Sequence, residues 1–297
     1  MNKQATRRSQ PKRRPQQRKG RTAIAAKGGK GSNRMTWILV GVVLVVGVGL
    51  LIAVAGAHKN EVKNIDERQN APAALISKVT DVSTDTINSV GAGSTLGPPK
   101  KVNPSVAVLT KNGKPLIVYL GAEYCPFCAA ERWGMVNALS RFGKFKDLKI
   151  TTSSSTDVPA SISTLSFHGS TYDSPYIVFE PVEQQTNKGK VLDTPTADQQ
   201  ALEAKYDVAP YTSRDGSIPF VDFGNQYIVA GASYDANKLE GMTHQQIADQ
   251  LNTPSSAASQ GAIGTANSMT AAICKLTDNK PADVCTQPAI KDIQKKL

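Results

Sequence analysis

The side chains best suited to chemistry in this chain are two cysteines in the stretch Cys125-Pro126-Phe127-Cys128. Two intervening residues in the first turn of a helix let the two sulfur atoms approach closely enough to form and break a disulfide. Free N–H groups and the positive end of a helix dipole lower the pKa of a thiol at a helix N-terminus. Pro126 suits the first helical position, where its missing N–H costs no hydrogen bond. We therefore predict that Cys125 is the attacking catalytic thiol and that Cys128 is the resolving thiol.

The flanking residues predict the elements that position this pair. The run from Pro115 to Leu120 is mostly apolar, which suits a buried parallel strand, and Gly121 interrupts it. After the cysteines, apolar residues recur near helical spacing as far as Phe142, and Gly143 is placed like a C-terminal cap. The sequence therefore predicts a strand, a short turn and a helix that begins at the Cys-x-x-Cys motif.

A second motif lies between Ser217 and Ala230. Two apolar runs flank Gly224-Asn225, which predicts a tight hairpin turn. Pro219 stands at the start of the first run, where a proline is unusual for a central strand unless it has a special role. A trans proline in an edge strand is the alternative interpretation.

The order of elements around these two motifs resembles the thioredoxin-like fold over about residues 105–252. The resemblance implies a cis peptide bond before Pro219, packed beside the cysteines, with the backbone at Ile218 pairing with a bound substrate chain. Tyr124, Pro126 and Phe127 then complete the substrate-binding surface. The resemblance also implies a redox potential between about −230 and −120 mV, since a Pro-aromatic dipeptide is more typical of glutaredoxins and oxidases than of reducing thioredoxins.

The chain departs from the thioredoxin pattern six residues before the first cysteine. Thioredoxins carry a buried acid there, and this chain has Tyr119. Glu123 is the alternative candidate for proton transfer from the resolving thiol, although we expect it to be a solvated side chain.

At the level of the whole chain, three segments resemble a family catalogued as domain of unknown function 929. They are GAEYCPFCAAERW, the stretch at Ser170–Pro181, and TANSMTAAIC. The resemblance spans about residues 70–287 and implies a membrane-anchored protein with a thioredoxin-like fold and redox chemistry, without indicating a substrate.

The N-terminal region predicts a membrane anchor. Residues 1–34 hold twelve of the 35 Lys and Arg residues and no acidic residue, so the net charge of +11 is concentrated there. Such a segment is expected to be disordered and cytoplasmic; a nucleic-acid-binding tail is the alternative, but no aromatic residue interleaves the basic ones. Residues 35–57 contain no charge over 23 residues, enough to cross a bilayer. A cleavable signal peptide is the alternative, and in both cases the chain after residue 58 lies outside the cytoplasm.

The second cysteine pair, Cys274 and Cys285, is predicted to form a structural disulfide, as expected outside the cytoplasm. A redox relay to the first pair is the alternative. A zinc site is disfavoured because these cysteines lack a knuckle spacing and the histidines follow no ligand pattern. We predict no metal and no cofactor.

Hydrophobic periodicity and capping signals predict several further elements. These are a helix within Pro72–Val90, a hairpin turn at Asn112-Gly113, a strand at Leu148–Thr152, a loop at Ser153–Tyr172, a strand at Tyr176–Phe179 ended by Pro181, a helix capped at Thr194 and reaching Tyr206, and a helix with a capping box at Thr243 and Gln246.

The predicted fold class is α/β, a thioredoxin-like fold with a disordered basic tail, one transmembrane helix and a C-terminal helical extension. The predicted units are residues 1–34 (tail), 35–57 (membrane helix), 58–104 (stalk, helix and linker), 105–252 (thioredoxin-like domain) and 253–297 (extension). The predicted function is that of a single-pass cell-membrane thiol–disulfide oxidoreductase acting on extracytoplasmic protein thiols or disulfides. A membrane redox partner would reset it, and no nucleic-acid partner is expected. The alternative is a non-catalytic binding or assembly module.

Overall fold

The computed structural model of this protein describes Ile65, residues 67–102 and residues 105–297. The predicted basic tail at residues 1–34, the predicted membrane segment at residues 35–57 and the first part of the predicted stalk lie outside these residues.

The transmembrane part of the predicted fold class requires a correction. Within the described part of the chain, no helix is both long enough and apolar enough to cross a membrane. The described residues form a mixed α/β structure with eight α-helices. No described helix therefore supports the transmembrane part of the predicted fold class, and residues 35–57, where it was predicted, lie outside the described part of the chain.

The described residues form eleven strands, numbered in chain order. They are β1 (Gln69–Asn70), β2 (Lys100–Lys101), β3 (Thr110–Lys111), β4 (Lys114–Gly121), β5 (Lys144–Lys146), β6 (Lys149–Thr152), β7 (Ser163–Ser166), β8 (Thr171–Asp173), β9 (Val178–Glu183), β10 (Phe220–Phe223) and β11 (Tyr227–Ala230).

The helices are numbered in the same way. They are α1 (Ala73–Thr80), α2 (Thr84–Val90), α3 (Pro126–Ser140), α4 (Ala197–Tyr206), α5 (His244–Leu251), α6 (Ala257–Leu276), α7 (Ala282–Cys285) and α8 (Pro288–Gln294), and a 3₁₀ turn spans Ala236–Leu239.

The main sheet is organised around β4. This strand pairs in parallel with β9 on one side and antiparallel with β10 on the other, and β11 and β2 extend the sheet beyond β10. The hairpin predicted at Asn112-Gly113 is present, since it joins β3 to the start of β4. The helix α3 lies between β4 and β9 in the sequence, as a crossover between parallel strands requires.

The alternating side chains of β4 enter two different apolar cores. Ile117 and Tyr119 belong to a large core together with residues of α3 and α6. Leu116, Val118 and Leu120 belong to a smaller core on the opposite face, which includes Tyr206 at the end of α4. Because both faces are covered, nearly every residue of β4 is buried, as its apolar sequence predicted.

Small residues allow α6 to lie close along α3. A side chain added at Gly134 of α3 would place its Cβ 2.7 Å from Cγ2 of Thr265 in α6. The sequence analysis assigned α6 to a C-terminal extension, but sixteen of its twenty residues are buried. This helix thus supplies part of the core beneath the Cys-x-x-Cys helix.

Several local predictions require correction. The helix predicted within Pro72–Val90 is two helices, α1 and α2, with Ser83 capping the second. The predicted loop at Ser153–Tyr172 contains β7 and part of β8. Strand β6, predicted from its alternation, pairs with β1 and β7 in a separate three-stranded sheet. Strand β8 pairs with β5, and β6 pairs with β1 as well as with β7. The partners β5 and β1 are distant in sequence, and local patterns do not reveal them.

The boundaries of two other elements also differ from the prediction. Strand β9 continues through Pro181 to Glu183. Among the described residues it pairs only with β4, and an edge strand tolerates a residue that lacks an N–H donor. The cap of α4 is Thr196 rather than Thr194, and its capping box is completed by Gln199.

Candidate active site

Cys125 and Cys128 lie at the N-terminus of α3, as predicted. Cys125 is the N-cap residue, and its Sγ accepts a hydrogen bond from the backbone N–H of Cys128 at 3.2 Å. Pro126 occupies the first helical turn, where its missing N–H is not needed. Both cysteines are free thiols, Cys128 fully buried and Cys125 exposed by 4%.

The loop before β10 meets the first thiol. The peptide bond between Ile218 and Pro219 is cis, as the sequence analysis expected. The carbonyl oxygen of Ile218 lies 3.7 Å from Sγ of Cys125, although the two residues are 93 positions apart. The tertiary structure therefore brings the two predicted motifs together.

A groove of about 500 Å³ opens beside Cys125. Four of the five residues predicted to bind substrate line it, namely Tyr124, Pro126, Phe127 and Ile218. The fifth, Pro219, is buried behind this surface. Leu96 also lines the groove, and it is one of the most exposed large apolar residues in the described part of the chain, at 82%.

The two thiols have opposite electrostatic environments. A hydrogen bond from the Cys128 thiol lowers the pKa of Cys125 below its ordinary value; the Cys128 N–H and the charge of Arg132 act in the same direction, and burial opposes them. Burial raises the pKa of Cys128 well above its ordinary value, with Arg132 acting against this rise. This asymmetry makes Cys125 the thiol that ionises first, as a nucleophile requires, and Cys128 the thiol that keeps its proton.

Two buried residues that the sequence analysis missed lie behind the cysteines. Arg132 of α3 donates from Nε and Nη2 to the carboxylate of Glu183 in β9, at 2.7 and 2.6 Å, and both side chains are completely buried. The signal was an arginine four residues after Cys128 on a helix made mostly of small and apolar residues. Its partner could not be identified from sequence, because Glu183 lies 51 residues away.

Tyr119, at the position where thioredoxins carry an acid, is also fully buried. Its ring packs edge-to-face against Phe167, with the centroids 5.3 Å apart, and the Arg132 guanidinium lies 6.0 Å from its centroid. Burial raises the pKa of Tyr119 well above its ordinary value, so the phenol stays protonated at neutral pH.

The prediction that Glu123 is a solvated side chain is wrong. Its carboxylate is 1% exposed, accepts a hydrogen bond from the Ser166 hydroxyl at 2.6 Å and pairs with Arg68 at 2.9 Å. These contacts tie the turn before Cys125 to β7 and to the N-terminal end of the described chain. Glu123 is therefore part of the framework of the active-site turn.

The second cysteine pair forms the predicted disulfide. Cys274 and Cys285 are joined with their Cα atoms 5.6 Å apart, and both are buried. The bond connects α6 to α7. Within the described residues, no group of three or more His, Cys, Asp or Glu side chains is arranged to hold a metal ion.

Comparison with known proteins relates the first part of this site to a family. Residues 100–214 match the family model described as Domain of unknown function (DUF929). The match includes both cysteines, Arg132 and Glu183, and it ends before Pro219. It supports the resemblance to this family over that region. No curated protein and no solved structure matches the chain.

Proposed function

We propose that this protein is a thiol–disulfide oxidoreductase in which Cys125 and Cys128 form the redox pair. The observation that carries the proposal is the setting of Cys125 Sγ, which accepts the N–H of Cys128 at the helix N-terminus and lies 3.7 Å from the Ile218 carbonyl. The N–H contact stabilises a thiolate at Cys125, and a stabilised thiolate beside an open groove is the arrangement that disulfide exchange requires.

The order of the strands supports a thioredoxin-like fold as part of this proposal. In the sheet, β9, β4, β10 and β11 are neighbours, with β4 and β9 parallel and the other pairs antiparallel. The Cys-x-x-Cys helix connects the two parallel strands, and the cis-proline loop leads into β10. The observed order of elements, from β4 through α3, β9, α4, β10 and β11 to α5, agrees with the order expected from the resemblance.

In the proposed reaction, the Cys125 thiolate attacks one sulfur of a substrate disulfide. A bond forms between Cys125 and that sulfur, and the other substrate sulfur leaves as a thiolate. Cys128 then gives up its proton to solvent and attacks Cys125. The Cys125–Cys128 disulfide forms, the second substrate thiolate is released, and two electrons have passed from the enzyme to the substrate. The reverse sequence oxidises a substrate dithiol.

The groove favours a polypeptide substrate. Its lining combines the side chains of Tyr124, Phe127 and Leu96 with the backbone of Ile218. Phe127 is 44% exposed, so an incoming chain can bury part of its ring. We therefore propose protein thiols or disulfides as the substrate class and a separate redox protein as the partner that resets the pair.

The buried disulfide supports a location outside the cytoplasm. Stable disulfides persist in oxidising compartments and are rare where cellular reductants are present. The Cys274–Cys285 bond therefore supports an extracytoplasmic domain, as the sequence analysis expected.

A thiol-trapping titration of the full-length protein in glutathione buffers, with peptide mapping, tests this proposal. We expect Cys125–Cys128 to titrate between about −230 and −120 mV while Cys274–Cys285 stays oxidised. A potential near −270 mV, the approximate value for thioredoxin, would indicate a reductase instead. A Cys125–Cys128 pair that cannot be reduced in any buffer would contradict the proposal.

Single-cysteine variants test the two roles separately. In Cys128→Ser, a mixed disulfide formed at Cys125 cannot be resolved, so covalent complexes with substrate should accumulate on non-reducing gels. In Cys125→Ser they should be nearly absent, because the attacking sulfur is missing. Equal trapping by the two variants would contradict the assignment of Cys125 as nucleophile.

The alternative is a binding module whose cysteines only stabilise the turn, and one observation favours it. Cys125 is only 4% exposed, so a substrate must displace part of the groove wall to reach its sulfur. Under this alternative, Cys125→Ser retains partner binding and neither variant traps a mixed disulfide.

A further inference from the structure

A set of three fully buried side chains, Tyr119, Arg132 and Glu183, lies behind the two thiols; we refer to it as the buried polar cluster. It connects the central strand β4, the redox helix α3 and the edge strand β9. The cluster includes one fixed positive charge, one carboxylate that neutralises part of it, and one phenol.

Arg132 is held rigidly within the cluster. Its Nε and Nη2 bind both carboxylate oxygens of Glu183, and Nη2 also donates to the carbonyl oxygen of Ala122 at 2.7 Å. Ala122 belongs to the turn between β4 and Cys125, so the guanidinium is attached to the backbone that carries the nucleophile. Its Nη1 has no hydrogen-bond partner among the described residues.

The position of Arg132 places this charge on the same side of α3 as Cys128. Residues four apart lie on the same face of a helix, and Arg132 follows Cys128 by four. Completely buried groups are only weakly screened by solvent, so a charge there acts more strongly than it would at the surface. Replacing a buried ion pair by apolar residues is often neutral or stabilising, which makes stability alone a weak reason for this pair.

The rest of the cluster offers the thiols no proton acceptor. Tyr119 is a neutral phenol, and its hydroxyl has no partner in the described part of the chain. The Glu183 carboxylate is occupied by Arg132, and its remaining contact is the backbone N–H of Phe167 at 3.3 Å. Thus the influence of the cluster on the cysteines is a fixed charge rather than a proton relay.

We propose that Arg132 is a positioning residue for the redox pair: held by Glu183 and Ala122, it stabilises the Cys125 thiolate and makes the pair an oxidant. This inference rests on the proposed function and specifies the direction of electron flow. A reduced form stabilised as thiolate raises the reduction potential, so electrons flow from substrate dithiols to the Cys125–Cys128 disulfide. Arg132 lowers the pKa of both thiols, in agreement with this role.

Charge-neutral variants of the two partners test the proposal, because the electrostatic role predicts opposite signs. Arg132→Gln removes the positive charge and should raise the Cys125 pKa by about one unit, which slows alkylation below that pKa about tenfold. Glu183→Gln leaves Arg132 charged but less neutralised and should lower the Cys125 pKa. The measurement is the rate of iodoacetamide labelling of Cys125 against pH in the full-length protein, located by peptide mapping.

The redox equilibrium with glutathione should also shift in opposite directions in the two variants. We expect the Arg132→Gln pair to become about tenfold harder to reduce, equivalent to about 30 mV for two electrons, and the Glu183→Gln pair to become easier to reduce. Arg132→Lys keeps the charge without the two-nitrogen contact and should retain most of the wild-type pKa.

Arg141→Gln is the matched control. Arg141 is a partly buried arginine that caps the other end of α3, where it binds Asn137, Asn267 and Thr270. Its loss should reduce stability and leave the Cys125 labelling profile unchanged. If Arg132→Gln and Glu183→Gln shift the Cys125 pKa in the same direction, or neither shifts it, the cluster is only a structural tether and the proposal is wrong.

These measurements separate this inference from the proposed function. Labelling by a small alkylating agent requires no protein substrate and no turnover. If the Cys128→Ser variant traps no substrate while the two variants still shift the Cys125 pKa in opposite directions, the proposed function fails and the charge effect of Arg132 remains.

Discussion

At the residue scale, Cys125 and Cys128 differ although they are identical in type and only three positions apart. Cys125 caps the helix, so the N–H of Cys128 and the thiol beside it stabilise a negative charge on its sulfur. Cys128 is completely buried, and burial penalises the same charge. The resolving thiol therefore stays protonated until a mixed disulfide has formed at Cys125.

Also at the residue scale, Glu131 of α3 should make the stability of this protein depend on pH. Its carboxylate accepts hydrogen bonds from the N–H and hydroxyl of Ser233, at 2.9 and 2.6 Å. Burial raises the pKa of Glu131 to about 7. In the unfolded chain the same group titrates near pH 4.3. Between these values the folded state holds the proton, so the free energy of unfolding falls as pH rises, by on the order of 3 kcal/mol in total.

Glu131→Gln should remove this slope, because the amide does not titrate. Chemical denaturation of wild type and variant at pH 5 and pH 8 measures this dependence of stability on pH. Burial also raises the pKa of Asp222 to about 7. Because Asp222 is present in both proteins, the difference between them isolates the contribution of Glu131. We expect the variant to gain stability relative to wild type at the higher pH. Glu240→Gln, at an exposed position, should show no such gain. A constant difference at both pH values would mean that Glu131 is ionised in the fold throughout.

At the element scale, the contact between α3 and α6 depends on a missing side chain. The Cβ of an alanine at position 134 would lie 2.7 Å from Cγ2 of Thr265 and 3.0 Å from the carbonyl oxygen of Ala262. The helices must then separate or the side chains must shift. This close approach explains why a glycine is used in the middle of a helix, where it costs about 1 kcal/mol relative to alanine.

Gly134→Ala should therefore destabilise the protein although alanine favours the helix. Overpacking of a tight core costs about 1–3 kcal/mol, which exceeds the gain of about 1 kcal/mol in helix propensity. Denaturant unfolding measures the change, and the loss should be smaller in the Thr265→Ala background, where the nearest atom is gone. An increase in stability on Gly134→Ala would show that α3 and α6 are less closely packed than described.

At the scale of the whole molecule, the C-terminal helix α6 stabilises the redox helix α3 by packing against it. Helix α6 packs along α3, and the Cys274–Cys285 disulfide fixes α7 and the turn between them against the end of α6. The two cysteine pairs are thus in different settings, since one borders a groove and the other is enclosed in the core.

Removing the second pair should lower stability without changing the chemistry of the first. A disulfide that closes a loop of this length contributes about 2–3 kcal/mol in the chain-entropy description. The Cys274→Ala/Cys285→Ala variant should therefore unfold at lower denaturant concentration, with the labelling rate of Cys125 unchanged. Mapped disulfides between the two pairs during turnover would instead favour the redox relay.

The sequence by itself determined the features that depend on neighbouring residues. The turn at Asn112-Gly113, the capping box at Thr243, the start of α3 at the Cys-x-x-Cys motif and the second disulfide could all be predicted. In each case the residues concerned are close in the chain, so their backbone preferences or covalent chemistry limit the possible structures. The basic tail and the predicted membrane segment lie outside the described residues. The disorder of the tail and the cell-membrane location of the protein therefore stay predictions.

Only the tertiary structure decided which buried groups surround the thiols. The sequence context of Glu123 predicted a solvated carboxylate. In the structure this carboxylate is buried, where it contacts Arg68 and Ser166. Arg132 meets Glu183 across 51 residues, and no periodicity links them. The physical reason is that burial and Coulomb interactions depend on distance in space, which strand pairing and helix packing set over the whole chain.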